Sequence, residues 1–109
     1  MITGNEYQEL AARTINNDLS DKDKVLHALH GMAGEVGEIH SIYQKIYQGH
    51  EFDEYEMMKE LGDLLWFIAE YCTVFGWDLE DIMQRNINKL KARYPEGFSE
   101  ENSVNRMVF

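Results

Sequence analysis

The sequence predicts an all-α fold, a four-helix bundle, and three observations carry that prediction. Apolar residues recur at spacings of three and four along nearly the whole chain, which is the period of an amphipathic helix. The one proline, Pro95, lies near the C-terminal end, so no proline interrupts the periodic segments. At the head of each periodic segment, a Ser, Thr or Asp is followed three residues later by an acid, a pattern typical of a helix N-terminus.

These start signals define four helices, and glycine or proline marks three of the ends. Gly49 and Gly76 follow the second and third helices, and Pro95 lies just beyond the fourth. The segment 95–109 shows little periodicity, and we expect it to lie along the surface or across a partner subunit. Residues 1–109 are thus predicted to form a single domain. The helices and their start pairs are 4–17 (Thr3, Glu6), 21–48 (Ser20, Asp23), 54–75 (Asp53, Glu56) and 79–93 (Asp78, Asp81).

The composition is strongly acidic, with 20 Asp and Glu against 10 Lys and Arg and a formal net charge of -10. Such a charge repels nucleic acid polymers and anionic membranes, so neither is an expected partner, and a phosphate-bearing ligand needs a bridging cation. The sequence has neither a long apolar run nor a basic leader before an apolar segment, so we expect a cytoplasmic protein. Cys72 cannot pair within the chain, and its place on an apolar helix stripe predicts a buried thiol.

Two segments repeat one pattern of acids, apolar residues and glycine. EVGEI and ELGDL match position for position, and each lies inside a predicted helix. On a helical wheel, the apolar stripes are centred on Val36 and on Leu61, and both acids of each pair lie on the same side of the stripe with an apolar residue between them. Both acid pairs are therefore expected to border a packed face rather than open solvent. The four acids are Glu35, Glu38, Glu60 and Asp63.

These acids predict a magnesium site. Four carboxylates brought together by two packed helices repel one another, and a divalent cation removes that cost. Mg²⁺ prefers oxygen ligands and shares its coordination with substrate phosphates, and Mn²⁺ is an expected substitute. Gly37 and Gly62 each cost a helix about 1 kcal/mol, and we expect them to permit the close approach of another helix. The alternative is two solvated acidic helix edges with incidental glycines.

The fourth helix carries a cationic face beside its apolar stripe. Asn86, Lys89 and Arg93 stand at i, i+3 and i+7, hence on one face. Because most of the chain is acidic, the positive charge of this face can attract the phosphates of a ligand to the metal. Arg93 can bind a phosphate group through two hydrogen bonds. The alternative is that cations at the end of a helix complement the helix dipole.

Together these segments resemble the MazG-like all-α nucleoside triphosphate pyrophosphohydrolases, over roughly residues 5–95. The resemblance lies in Glu-x-x-Glu on one helix, Glu-x-x-Asp on the next and NINKLKARYP on the helix after that. It implies a MazG-like bundle that converts a nucleoside or deoxynucleoside triphosphate to the monophosphate and pyrophosphate. The ligands that it implies are Glu35, Glu38, Glu60 and Asp63 for Mg²⁺, and Lys89 and Arg93 for the triphosphate.

Three positions depart from the pattern of many members of that family. Gly34 stands where those members have a further acid, directly before the first motif glutamate. Glu56 stands where they have a lysine, and Lys59 stands where they have an acid. The departures concern contacts around the four-acid core and leave the core itself intact.

The implied reaction is the attack of water on the α-phosphorus, which needs no nucleophilic side chain. We expect Glu38 to act as the base in preference to Glu35. A nucleotide-binding protein without turnover and a helical interaction module are the alternatives. A di-iron carboxylate bundle is disfavoured, because such bundles use Glu-x-x-His motifs and no histidine here has a glutamate three residues before it.

The apolar sectors of the second and third helices are broad for a chain of 109 residues. One layer of neighbours within a monomer would not cover them, so we expect a homo-oligomer, at least a dimer, and the resemblance implies a tetramer. In such an assembly an active site can draw on more than one subunit. The sectors extend to Ile39, Ile42 and Ile46 on one helix and to Leu64, Phe67 and Tyr71 on the other.

Overall fold

The computed structural model describes residues 1–105, which form five helices and no strand, so the all-α prediction is confirmed. The end of the predicted tail, residues 106–109, lies outside the described residues. None of the helices within residues 1–105 has the length and apolar character that a bilayer span requires. The helices are α1 (Gly4–Ala12), α2 (Asp21–Tyr47), α3 (Glu54–Phe75), α4 (Leu79–Arg93) and α5 (Glu100–Val104).

Three of the predicted helix starts are confirmed by their capping bonds. Thr3 accepts a hydrogen bond from the backbone N–H of Glu6 at 3.1 Å and donates its own N–H to the Glu6 carboxylate at 3.2 Å. Ser20 and Asp53 likewise accept from the backbone N–H three residues further on. Gly76 ends α3 with a φ of 70°, in the left-handed region that favours glycine.

The fourth helix has its predicted bounds, with Asp78 as the N-cap residue, but Asp78 makes no side-chain cap hydrogen bond. The first N–H of α4, from Leu79, is donated instead to Gln8 Oε1 of α1 at 2.7 Å. The Gln8 amide nitrogen also donates to Thr73 Oγ1 at 3.2 Å and to the carbonyl of Trp77 at 2.8 Å. One side chain of α1 thus joins the end of α3, the connecting turn and the start of α4.

The first helix is shorter than predicted, since α1 ends at Ala12 rather than at residue 17. Thr14 Oγ1 donates a hydrogen bond to the carbonyl of Ala11 at 2.7 Å. Asn16 Oδ1 accepts one from the N–H of Asp18 at 3.0 Å. Such local side-chain bonds offer the backbone an alternative to the helix, and they end α1 although the sequence keeps a helical pattern.

An antiparallel hairpin of α2 and α3 dominates the packing, with α1 placed against α3 and α4. Its direction follows from two contacts: His27 meets Glu70, whereas Glu35, further along α2, meets Glu60, earlier in α3. The buried apolar residues are few. They are Ala11, Ala28, Ile42, Ala69, Cys72 and Leu79, so the predicted burial of the thiol is confirmed.

The two apolar stripes that were expected to be packed are open within the chain. Val36 is 43% exposed and Leu61 is 50% exposed, whereas Ile42 is buried. A helical wheel identifies the largest apolar sector of each helix, but this sector is not the face by which α2 and α3 pack. The two helices contact each other along the adjacent face, which carries the carboxylates. The prediction that the acids border a packed face is therefore right for Glu35 and Glu60, and the position of that face is wrong.

Candidate metal centre

Three acids from α2 and α3 meet where the two helices contact. One carboxylate oxygen from each of Glu35, Glu60 and Asp63 lies within 4.8 Å of the other two. Glu60 is buried, Glu35 is half-buried and Asp63 is exposed, so the group is accessible from one side. We call these three residues the acid group. Glu38, the fourth acid predicted to bind metal, is exposed and does not belong to it.

The acid group is short of positive charge. The pKa of Glu60 is raised to about 7, because its carboxyl group shares a proton with that of Glu35, is buried, and also hydrogen-bonds to Glu56. Oε2 of Glu35 is buried and has no hydrogen-bond partner. Adjacent carboxylates with a buried, unpaired oxygen need a proton or a cation between them.

A lysine and a glutamate form an ion pair at the edge of the acid group. Lys59 Nζ lies 3.2 Å from Glu56 Oε1 and 3.8 Å from Glu60 Oε1. Hydrogen bonds from Glu60 and Lys59 lower the pKa of Glu56, and the Glu56 carboxylate raises the pKa of Lys59. The acid and the lysine that many MazG-like proteins carry at these two positions are thus present with their places exchanged.

The cations predicted to bind phosphate lie on α4, apart from the acid group. Asn86 and Lys89 line an open groove of about 590 Å³. Nε of Arg93 is buried and has no hydrogen-bond partner. Within residues 1–105, no salt bridge joins α4 to the acid group. The other residues that line the groove are Ile82, Arg85 and Asn88.

Nothing in the sequence pattern points to Tyr7, which belongs to the surroundings of the acid group. Burial is the larger cause that raises the pKa of its hydroxyl, and the negative charge of Asp63 raises it further. Helix α1, which packs against α3, thus places this hydroxyl within electrostatic range of Asp63. Its pair of acids, Glu6 and Glu9, is exposed, and nothing in its sequence would have indicated Tyr7.

A buried pair also joins the hairpin beyond the acid group. His27 Nδ1 lies 2.8 Å and 3.0 Å from the two carboxylate oxygens of Glu70, which is 2% exposed. A signal for Glu70 exists in the sequence, because it stands seven residues after Asp63 and hence on the same face of α3. No sequence pattern identifies His27 as its partner, because the pair forms only through the packing of α2 against α3.

The glycines of α2 and α3 differ in what surrounds them. A side chain at Gly31 would collide with the ring of Phe67, so this glycine brings α2 and α3 close together. Gly37 and Gly62 have nothing within 4 Å of the position that a Cβ would occupy. The expectation that these two glycines receive another helix is therefore wrong within residues 1–105.

The acid group fits a hard divalent cation. Its donors are all carboxylate oxygens, and Mg²⁺ and Mn²⁺ accept such ligands while leaving coordination positions for water and phosphate. The unpaired oxygen of Glu35 and the raised pKa of Glu60 both indicate that positive charge is needed here. Among residues 1–105, no other set of three or more His, Cys, Asp and Glu side chains has metal-binding spacing.

Comparison with known proteins gives the family. Residues 23–98 match the family model described as MazG nucleotide pyrophosphohydrolase domain. A segment of 51 residues is 33% identical to the Gene 37 protein of Mycobacterium phage L5; the match covers 47% of this chain and 45%, less than half, of that protein. No solved structure matches. Since the family match spans more than half of the chain and includes the whole acid group, the chain belongs to the MazG nucleotide pyrophosphohydrolase domain family.

Proposed function

We propose that this chain hydrolyses a nucleoside or deoxynucleoside triphosphate to the monophosphate and pyrophosphate, with Mg²⁺ as cofactor. The observation that carries the proposal is the acid group, an oxygen-only cluster within the part of the chain that matches the family. A triphosphate is itself negative, and its approach to a chain of net charge -10 requires a cation that both can share.

Glu35, Glu60 and Asp63 would hold the metal ion, with Glu38 as a further ligand from the next turn of α2. Magnesium, when bound, supplies charge that polarises the phosphates and lowers the pKa of nearby water. Manganese prefers similar oxygen ligands and is the expected substitute. No protein nucleophile is required.

Glu38 is our preferred general base, with Glu35 as the second choice. Its carboxylate is exposed, so one of its oxygens would contact the metal ion while the other accepts a proton from a water molecule. The water oxygen forms a bond to the α-phosphorus as the bond from phosphorus to the bridging oxygen breaks. Pyrophosphate leaves with the electron pair of that bond, and the released proton resides on Glu38.

Lys89 and Arg93 would neutralise the charge that develops on the departing pyrophosphate. Asn86 would donate a hydrogen bond to the same phosphates from the groove that it lines with Lys89. The unpaired Nε of Arg93 is a donor that a phosphate oxygen would satisfy.

We further propose that residues 1–109 act as one catalytic domain in the cytoplasm, where nucleoside triphosphates are made and used, and as a homo-oligomer, a dimer or a tetramer. A nucleotide-binding protein without turnover is the second candidate. It is favoured by the absence of Glu38 from the acid group, because a base that stays outside the site would allow binding and not hydrolysis.

The test is incubation of the purified protein with a panel of ribo- and deoxyribonucleoside triphosphates and Mg²⁺, followed by separation of the products. We expect a monophosphate and pyrophosphate, and no diphosphate or orthophosphate. In water enriched in ¹⁸O, the label enters the monophosphate if the α-phosphorus is attacked. Mg²⁺-dependent binding with no product would favour the second candidate, and a lack of binding to every nucleotide would reject both.

Loss of one central ligand tests the acid group directly. We expect Glu60→Gln to lower kcat/KM at least about 100-fold while the helix content is retained, because a neutral amide cannot replace an anionic ligand. Glu54→Gln, which removes an exposed acid from the first turn of the same helix, should keep the wild-type rate. Equal losses in the two variants would contradict a specific role for the acid group.

A further inference from the structure

We propose that Lys59 makes the acid group select a metal–nucleotide complex over the free metal ion. Its ammonium group would repel a bare divalent cation and attract the same cation when a triphosphate carries it. Lys59 would do this without being a metal ligand itself. This role rests on the proposed function, in which the acid group holds the metal ion of a triphosphate substrate.

The ammonium group of Lys59 lies at the accessible edge of the acid group. Its Nζ is 3.8 Å from Oε1 of Glu60, and among residues 1–105 no other Lys or Arg forms an ion pair with the acid group. The Lys59 side chain is 62% exposed, whereas that of Glu60 is 7% exposed. Asp63 is also exposed and stands four residues after Lys59, hence on the same face of α3. A ligand that approaches Asp63 therefore meets the charge of Lys59.

Two distances decide what Lys59 can do. Its Nζ lies 3.2 Å from Oε1 of Glu56, within hydrogen-bond reach, but the 3.8 Å to Glu60 is too long for a hydrogen bond. Lys59 thus acts on Glu60 through its charge and does not orient that carboxylate. The packing of α2 against α3 buries Glu60 and holds it in place.

Glu56 keeps the ammonium group of Lys59 at this edge. It belongs to the first turn of α3, where the helix dipole favours a carboxylate. It stands three residues before Lys59, so the two side chains are neighbours on the helix surface. A glutamate and a lysine in contact are both charged at neutral pH. The charge of Lys59 is therefore held beside the acid group rather than spread through the solvent.

The charge of the incoming ligand decides the sign of the effect. A free divalent cation is positive, so the ammonium group repels it and lowers its affinity for the carboxylates. A nucleoside triphosphate that carries one divalent cation is still negative overall, so the same ammonium group attracts the complex. Carboxylates alone would have the opposite preference. Lys59 thus limits loading with bare metal and favours the metal that arrives on the substrate.

Binding of free Mn²⁺ tests the first half of the proposal without any nucleotide. Unbound Mn²⁺ is counted by electron paramagnetic resonance at low ionic strength and at pH 8, above the pKa of Glu60. We expect Lys59→Met, which removes the charge and keeps most of the side-chain length, to bind Mn²⁺ at least about threefold more tightly than wild type. The gain should shrink as KCl is added, because salt screens an exposed charge.

Binding of a metal–nucleotide complex tests the second half. The probe is the Mg²⁺ complex of an α,β-methylene triphosphate analogue of the preferred substrate, which cannot be cleaved at the α-phosphorus, and calorimetry measures its affinity. Lys59→Met should bind this complex at least about threefold more weakly than wild type. Effects of opposite sign on the free metal and on the complex cannot come from a damaged fold, which would weaken both.

Two further variants serve as a mirror test and as a control. Glu56→Gln removes a negative charge from the same edge, so it should bind free Mn²⁺ more weakly and the complex more tightly. Lys22→Met removes an exposed lysine from the first turn of α2, about 20 Å along the helix from Glu35. This matched control should leave both affinities unchanged, because charges so far apart interact weakly through water.

The outcomes separate this inference from the proposed function. A Lys59→Met variant that shifts both affinities in one direction, or neither, beside an active wild type, would overturn the inference alone. Weaker binding of both ligands by Glu56→Gln would do the same, because it would make Glu56 a metal ligand. A wild-type protein that binds no Mn²⁺ and hydrolyses no nucleotide would overturn the proposed function and this inference with it.

Discussion

Glu60 is the residue on which the acid group depends. It is buried at the contact of α2 and α3, and its carboxyl group faces those of Glu35 and Glu56. Without a metal it is neutral below a pH of about 7, because the shared proton relieves the repulsion. A divalent cation requires the ionised form. Protons and the metal therefore compete for one position.

This competition predicts that Mg²⁺ stabilises the protein more at pH 8 than at pH 6. The folded pKa of Glu60, about 7, lies above the ordinary value of 4.5. The metal-free folded chain thus holds more protons than the unfolded chain between these two pH values. Its contribution to stability is present at low pH and is lost as the pH rises through 7. The measurement is the change in Tm on adding Mg²⁺ at each pH.

Glu60→Gln provides the control for that pH dependence. The amide cannot ionise, so the metal-free variant should lack the loss of stability that the wild type shows between pH 6 and pH 8. Its Tm should also respond little to Mg²⁺ at either pH. An equal Mg²⁺ shift for the wild type at pH 6 and pH 8 would argue against Glu60 as a ligand.

The glycines of α2 serve different purposes, although the sequence presents them alike. Gly31 lies against the Phe67 ring, and the absence of a side chain there sets how closely α2 and α3 pack. Gly34 has open space around it within residues 1–105. A glycine in open space only weakens its helix, whereas a glycine under an aromatic ring has a packing reason.

Alanine at these two positions should have effects of opposite sign. We expect Gly31→Ala to destabilise the fold by about 1–3 kcal/mol, because the new methyl group overpacks the contact with Phe67. Gly34→Ala should stabilise it by up to about 1 kcal/mol through helix propensity. Urea unfolding at one fixed protein concentration measures both. A gain in stability for Gly31→Ala would show that the hairpin contact is not as close as the structure has it.

Interactions between residues close in sequence could be predicted, and interactions between separate helices could not. The starts of α1, α2 and α3 were predictable, because a capping side chain bonds to a backbone N–H only three residues away. The start of α4 was also predicted at the right residue, but its first N–H is bound by Gln8, a residue of another helix, and no local pattern identifies such a bond. The premature end of α1 depends on the hydroxyl of Thr14 competing with the helix.

The same distinction holds for the candidate site. Repetition of one pattern on two helices pointed to the acids, and the fold brings three of the four together. Which flank of each helix is packed was not predictable, because the wheel shows apolar area and not the neighbour that covers it. For that reason Val36 and Leu61 were expected in the core, and Tyr7 was not expected beside Asp63.

Residues 1–105 form an open helical bundle, in which α1, α4 and α5 are attached to the α2–α3 hairpin. Its extents of 45, 44 and 30 Å leave large apolar faces uncovered. A chain in which such faces stay exposed associates or aggregates. The open architecture therefore supports the proposed homo-oligomer, in which a second copy would cover these faces.

A charge placed on the open hairpin face should dissociate the assembly. Leu65 is 42% exposed within one chain, so Leu65→Glu should barely affect the folding of a monomer. If a second copy covers it, burial of the carboxylate costs about 2 kcal/mol or more, and self-association weakens about 30-fold. Sedimentation velocity over a range of concentrations measures this. Leu10→Glu, at a similarly exposed leucine of α1, is the matched control and should sediment as wild type does.

Because Glu60 is buried and Asp63 is exposed, the protein would fill only part of the coordination sphere of a metal ion, and water and the nucleotide would complete it. A nucleotide that arrives without its counterion is repelled there by the carboxylates. The enzyme would therefore select the magnesium salt of its substrate. Its turnover in the cell would follow the supply of that salt, and a fall in free magnesium would slow it even when total nucleotide is unchanged.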